Sequence, residues 1–206
     1  MATIDSLRTL VIEQLRDIYD AEHRLTKAIP KLRRKAENEE LREALDTHLS
    51  ETEEHIARLD QVFAAMDEKA KGKPCAGIKG IIDEGKEHVG EDYDEDDLRD
   101  AVIIGAAQRA EHYEIAAYGT VIAHMRLLGE DEAIALLEET LEEEKACDRT
   151  LTDIAERVVN VEAAEDGSEE AEKAPRRASG RRQKSAGVSR LSTAADARTR
   201  ARARKR

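Results

Sequence analysis

Apolar residues recur along this chain at the spacing of a helix face, and the recurrence is interrupted by acid. From about Ile4 to Ala36 the stripe reads Val11, Leu15, Ile18, Glu22, Leu25 and Ile29. Pro30 sits inside that stretch and is expected to kink its last turns. A polar turn, Ala36-Glu37-Asn38-Glu39, leads to a second helix from about Glu40 to Asp67, with Leu41, Leu45, Thr52, Ile56, Leu59 and Phe63 on one face. A Lys/Gly/Pro cluster, Lys69 to Pro74, ends it. Gly77 to His88 reads as a short connecting helix closed by Gly90-Glu91-Asp92. A third long helix runs from about Asp96 to Leu128, with Ile103, Ala107, Glu111, Glu114, Tyr118, Val121 and Met125 as its stripe and Gly129 as its stop. Asp131 caps a fourth, reaching about Val161, whose stripe reads Leu137, Leu141, Glu144, Asp148, Leu151 and Ala155. Runs of β-branched residues with alternating polarity are absent, so strands have no support. The expected fold is all-α: two antiparallel hairpins, joined by a crossover with a short helix, forming a four-helix bundle.

An unpaired carboxylate inside such a seam costs several kcal/mol, and a metal ion supplies the missing positive charge. The acids also match in level. Glu22 lies about 15 residues before the first turn and Glu51 about 14 after it; Glu111 lies about 18 before the second turn and Glu144 about 15 after it. At about 1.5 Å of rise per residue all four carboxylates can meet at mid-bundle. Glu114 and Asp148 lie one turn from Glu111 and Glu144 and join the expected ligand set, with His48 and His55 as further ligands or supporting partners and Tyr19 and Tyr118 as hydrogen-bond donors to it. Carboxylate-rich sites with a few imidazoles suit two ions, iron first, with manganese or zinc as alternatives. His23, His88, His112 and His124 read as surface or satisfied histidines, Cys147 as a small buried or half-exposed residue, and the other acids of the fourth helix, Glu143 among them, as a solvated face.

Composition divides the chain in two. The net charge of −12 over 206 residues hides an acidic body and a basic end: residues 173–206 hold 13 Lys and Arg against one acid, Asp196, while residues 1–172 hold 21 against 45. From about Glu162 the apolar periodicity stops, so residues 1–161 are expected to form the bundle and 162–206 a disordered basic tail. Arg176, Arg177, Arg181, Arg182, Lys184, Arg200, Arg202 and Arg204 are its candidate contacts to DNA or RNA phosphates, the acidic body itself being the competing partner. Two isolated cysteines, no leader pattern and no long apolar run point to a cytoplasmic protein with no membrane contact.

The runs Tyr19-Asp20-Ala21-Glu22, His48-Leu49-Ser50-Glu51-Thr52, Glu111-His112-Tyr113-Glu114-Ile115-Ala116 and Glu139-Thr140-Leu141-Glu142-Glu143-Glu144-Lys145-Ala146 resemble the YciE/YciF family of ferritin-like stress proteins over roughly residues 4–160. Arg58-Leu59, Cys75 and Tyr118-Gly119-Thr120 fit the same pattern. The resemblance implies a ferritin-like bundle and a di-metal centre distantly related to that of rubrerythrin. Glu22, Glu51, Glu111 and Glu144 take its principal carboxylate positions, and Glu114 resembles the extra acid that rubrerythrins carry on the third helix. Asp148 stands where many ferritin-like sites have His, and His55 follows Glu51 by four residues rather than three. The expected function is a stress-associated protein handling iron, peroxide or dioxygen, with oxidase- or peroxidase-like activity, as a homodimer or higher homo-oligomer. The alternatives are a nucleic-acid-associated stress protein using its basic tail and a structural bundle with a vestigial site.

Overall fold

The computed structural model describes residues 4–165, and all of its regular structure is helical. Helix α1 (Leu7–Arg33) starts where the Ser6 side chain accepts the Thr9 N–H, and it runs through Pro30 to end one turn later. Helix α2 (Glu39–Ala65) is capped by Asn38, whose side chain accepts from the N–H of Leu41. Helix α3 (Ala76–Val89) starts at Cys75, and Gly90 closes it. Helix α4 (Asp96–Arg126) ends ahead of Gly129, which takes a left-handed φ of 74°. Helix α5 (Asp131–Ile154) passes into a π-helical turn, Ala155–Val159. Helical backbone then continues through residue 165, beyond the expected boundary at Val161. The remainder of the expected tail, with its eight candidate phosphate contacts, lies outside the described residues.

Around the bundle α1 packs on α2, α2 on α5, α5 on α4 and α4 back on α1, while α3 lies outside against α4 and α1. The crossover is tied down by hydrogen bonds: the Lys73 N–H donates to the Arg16 carbonyl at 2.9 Å and the Cys75 N–H to the Asp20 carboxylate at 2.7 Å. Gly85 of α3 permits close approach to α4, because a Cβ at this position would meet the Ala106 methyl at 3.2 Å.

The core forms two apolar clusters along the bundle axis. Leu25, Ile29, Leu41, Leu45, Ile103, Leu151 and Ile154 belong to the first. Val11, Leu15, Leu59, Phe63, Val121, Met125 and Leu137 belong to the second. Each fully buried side chain of this size contributes about 1.5–3 kcal/mol. In sequence, His48, His55, Glu111, Glu114 and Glu144 fall between the buried residues each helix gives to one cluster and those it gives to the other, and Glu22 follows Ala21 at the edge of the first.

Candidate metal centre

Every bundle helix delivers polar groups to this middle layer. Glu22 comes from α1, His48 and His55 from α2, Glu111 and Glu114 from α4, and Glu144 from α5, all of them buried. Donor atoms of His48, Glu111, Glu114 and Glu144 lie within 4.8 Å of one another, and so do those of Glu22, His55 and Glu144. Glu144 belongs to both groups. A third group joins His48 and Glu111 to the sulfur of Cys147.

Specific contacts orient these side chains. Nε2 of His48 is 3.1 Å from Oε1 of Glu111. Nδ1 of His55 is 3.1 Å from Oε1 of Glu144 and 3.6 Å from Oε1 of Glu22. The other ring nitrogen of His55 is 2.9 Å from Glu143, and Arg58 donates to both oxygens of that carboxylate. Tyr118 donates its hydroxyl to Glu22 at 2.5 Å. Despite these contacts, Oε2 of Glu22, Oε2 of Glu111 and both oxygens of Glu114 and of Glu144 have no aligned hydrogen-bond partner.

The electrostatics follow from that shortage of donors. Burial lifts the Glu111 carboxyl to about 7; the neighbouring Glu144 and Cys147 side chains oppose it, while the charges of Glu22 and Asp148 add to it. Glu144 is lifted to about 8, again by burial first, with His55 pulling down and Glu22 and Glu111 pushing up. Glu114 is driven well above the carboxylate range by burial and by Glu144, Glu22 and Glu111. For His55 burial works against the charged ring, but Glu144 and Glu22 outweigh it and raise the imidazole to about 10. Burial and the charges of Glu111 and Glu144 likewise push the Cys147 thiol far up.

Several expected members sit elsewhere. Glu51 lies at the rim, its side chain 32% exposed and 4.0 Å from Nδ1 of His48. Asp148 leaves the seam and takes contacts from Gln108 at 3.1 Å and the exposed His112 at 3.3 Å. Tyr19 turns away from the cluster: its hydroxyl donates to Asp60 at 2.9 Å, and its ring meets His23 and Phe63 edge-on. The reason is helical phase. The buried stripe of α2 is Leu41, Leu45, His48, Thr52, His55, Leu59, and that of α5 is Leu137, Thr140, Glu144, Cys147, Leu151, Ile154. Both alternate steps of four and three, and Glu51 and Asp148 fall one residue off them. Glu143, read as a solvated acid, instead holds His55 and Arg58. The sequence already offers His48 and His55; continuing the strict alternation of steps would have added Cys147, and nothing comparable marked Glu143.

Fold and site together define an all-helical bundle with a buried cluster of carboxylates and imidazoles between two apolar layers. The chain belongs to the family described as a domain of unknown function (DUF892), which matches residues 6–164. It is 44% identical over 159 residues to protein YciF of Escherichia coli strain K12, covering 77% of this chain and 95% of that one. The crystal structure of the E. coli stress protein YciF superposes with a TM-score of 0.72, covering 76% of this chain and 99% of the other. YcfI of Rhodopseudomonas palustris, 42% identical, superposes with a TM-score of 0.71 over 74% of this chain and 98% of its own. A Xanthomonas campestris protein shares the fold at 18% identity and a TM-score of 0.62, with 79% of this chain covered. Among the described residues no helix is long and apolar enough to cross a membrane.

Proposed function

We propose that this chain is a ferritin-like di-metal protein that binds two ions, iron foremost, and handles iron, peroxide or dioxygen in a stress response. The observation that carries this reading is the set of buried, unpartnered carboxylate oxygens on Glu22, Glu111, Glu114 and Glu144. Buried polar atoms in native proteins nearly always have partners, and the donor groups here overlap at Glu144, as in carboxylate centres that hold ions in pairs. An oxygen-rich set with two imidazoles fits iron or manganese. The holding residues are Glu22, His55, His48, Glu111, Glu114 and Glu144. Bound iron supplies Lewis acidity and a one-electron change between divalent and trivalent states.

The chain's own residues do the rest. Tyr118 fixes Glu22 through its hydroxyl. Arg58 and Glu143 fix the ring of His55, the kind of outer support that tunes metal affinity. Protons held by Glu111 and Glu144 leave when a cation enters. A cavity of about 50 Å3, lined by Leu25, Ile29, Leu45, Ile81 and Ala107, reaches His48 and Glu111. Its wall is mostly apolar, with Lys31 and Lys86 also lining it, and suits a small neutral molecule.

The test is elemental analysis of full-length protein expressed with added iron and manganese. Roughly two ions per chain are expected for wild type, with sharp loss in Glu22→Ala and Glu111→Ala. Full stoichiometry in both variants would overturn the assignment.

The charge split supports an additional role: 13 basic residues against one acid in 173–206 make an electrostatic ligand for nucleic-acid phosphates. Full-length protein should retard duplex DNA at low ionic strength regardless of sequence, and a chain ending at residue 165 should not. Equal behaviour of the two chains would exclude the role.

A further inference from the structure

Helix α5 brings Glu144 and, one turn later, Cys147 to the same seam. A bundle helix presents two ligands to a metal centre at this i, i+3 spacing, usually a glutamate and a histidine. In this chain the residue at that i, i+3 spacing is Cys147, and Asp148, the position compared with that histidine in sequence, lies off the seam. Cys147 is a free, buried cysteine, and its Sγ lies within 4.8 Å of donor atoms of His48 and Glu111. An independent observation points to a ligand at the same spot: Glu111 is 1% exposed and its Oε2 has no hydrogen-bond partner. Cys75 is engaged elsewhere, its sulfur 2.9 Å from the Tyr113 hydroxyl and accepting the Ile78 N–H.

We propose that Cys147 is a thiolate ligand to the ion held by His48 and Glu111. That half of the centre then offers nitrogen, oxygen and sulfur, whereas the half at Glu22, His55 and Glu144 offers nitrogen and oxygen alone. The proposal rests on the metal-centre reading above. Binding exchanges the S–H bond for a bond from sulfur to the ion and releases one proton to solvent, with no change of oxidation state. A soft sulfur donor favours zinc, iron(II) and cobalt(II) over manganese(II), so the two halves differ in metal preference.

The experiment titrates cobalt(II), without oxygen, into metal-free full-length wild type, Cys147→Ser and Cys75→Ser. A near-ultraviolet thiolate-to-cobalt charge-transfer band is expected in wild type and Cys75→Ser and is expected to be lost in Cys147→Ser. Zinc affinity of Cys147→Ser should fall at least about tenfold, the scale reached by removing even outer partners of a metal, with manganese affinity unchanged. X-ray absorption of zinc-loaded wild type tests the same bond without substitution, and a sulfur scatterer is expected. Visible cobalt bands without charge transfer, a band that survives Cys147→Ser, or a zinc shell without sulfur each overturns sulfur ligation and leaves the metal centre standing. No cobalt or zinc binding by wild type overturns both.

Discussion

Asp100 and Glu114 are carboxylates of the same helix, 0% and 1% exposed, and their surroundings are built in opposite ways. Asp100 accepts the Glu37 N–H at 3.0 Å and the Asn38 N–H at 2.6 Å, closing the turn between α1 and α2. Burial raises its carboxyl and outweighs those two bonds, which act to lower it. Neither oxygen of Glu114 has a partner, and like charges gather around it. In the first region the backbone supplies the donors. In the second the protein has concentrated acid beyond what its own donors satisfy, an arrangement that could hold a cation.

Asp100→Ala sharpens the comparison most. It should lower the unfolding free energy by about 1.5–3 kcal/mol, because two backbone N–H groups lose a charged acceptor. Metal stoichiometry should stay intact, as read by urea melts paired with elemental analysis. Loss of metal from this variant would break the distinction between the regions.

Arg58→Ala probes the opposite side. Arg58 touches no proposed ligand, but it holds the carboxylate that orients His55. Ion affinity should fall about tenfold, about 1.4 kcal/mol. Titration calorimetry with iron(II) or manganese(II) reads this, and an unchanged isotherm would show that His55 needs no such support.

The smallest effect is a matter of sign. Folding raises Glu111 to about 7 and Glu144 to about 8, so the folded state binds protons more tightly than the unfolded one. The contribution of these two carboxyls to the stability of the metal-free bundle is therefore fully present below the ordinary carboxylate range and is lost as pH rises through about 8. His55, raised to about 10, acts in the same direction. Glu114→Gln should make the decline shallower and add under about 1 kcal/mol to the metal-free protein at mildly alkaline pH. A saturating divalent ion should reverse the slope, since it replaces the protons. Melts across pH, with and without ion, check both statements; a metal-free bundle that gains stability with rising pH would contradict them.

How much of this was legible in the sequence can be judged residue by residue. Glu22, Glu111, Glu114 and Glu144 were found because a helix turns about 100° per residue and an acid within an apolar stripe is conspicuous. In α2 and α5 that rule is too coarse. Glu51 and Thr52, or Asp148 and Cys147, differ by a step of three against four, and both choices lie near the same face. Searching for acids favoured Glu51 and Asp148. Packing against α1 and α4 kept His48 and His55 of the three α2 candidates on the seam and added Cys147.

The sequence alone determined the all-helical architecture, the helix ends near Asn38, Gly90 and Gly129, the level of the acid cluster and the division of charge. These are properties of one helix at a time or of composition, so local periodicity and capping suffice. The tertiary structure decided which carboxylates lack donors, that His48 and His55 lie inside the cluster while Glu51 stays at its rim, that Arg58 reaches Glu143, and that Tyr118 rather than Tyr19 serves Glu22. Those outcomes depend on how the facing helices are rotated and spaced. A stripe fixes a helix's own rotation only to within a residue, and it says nothing of the partner groups across the core.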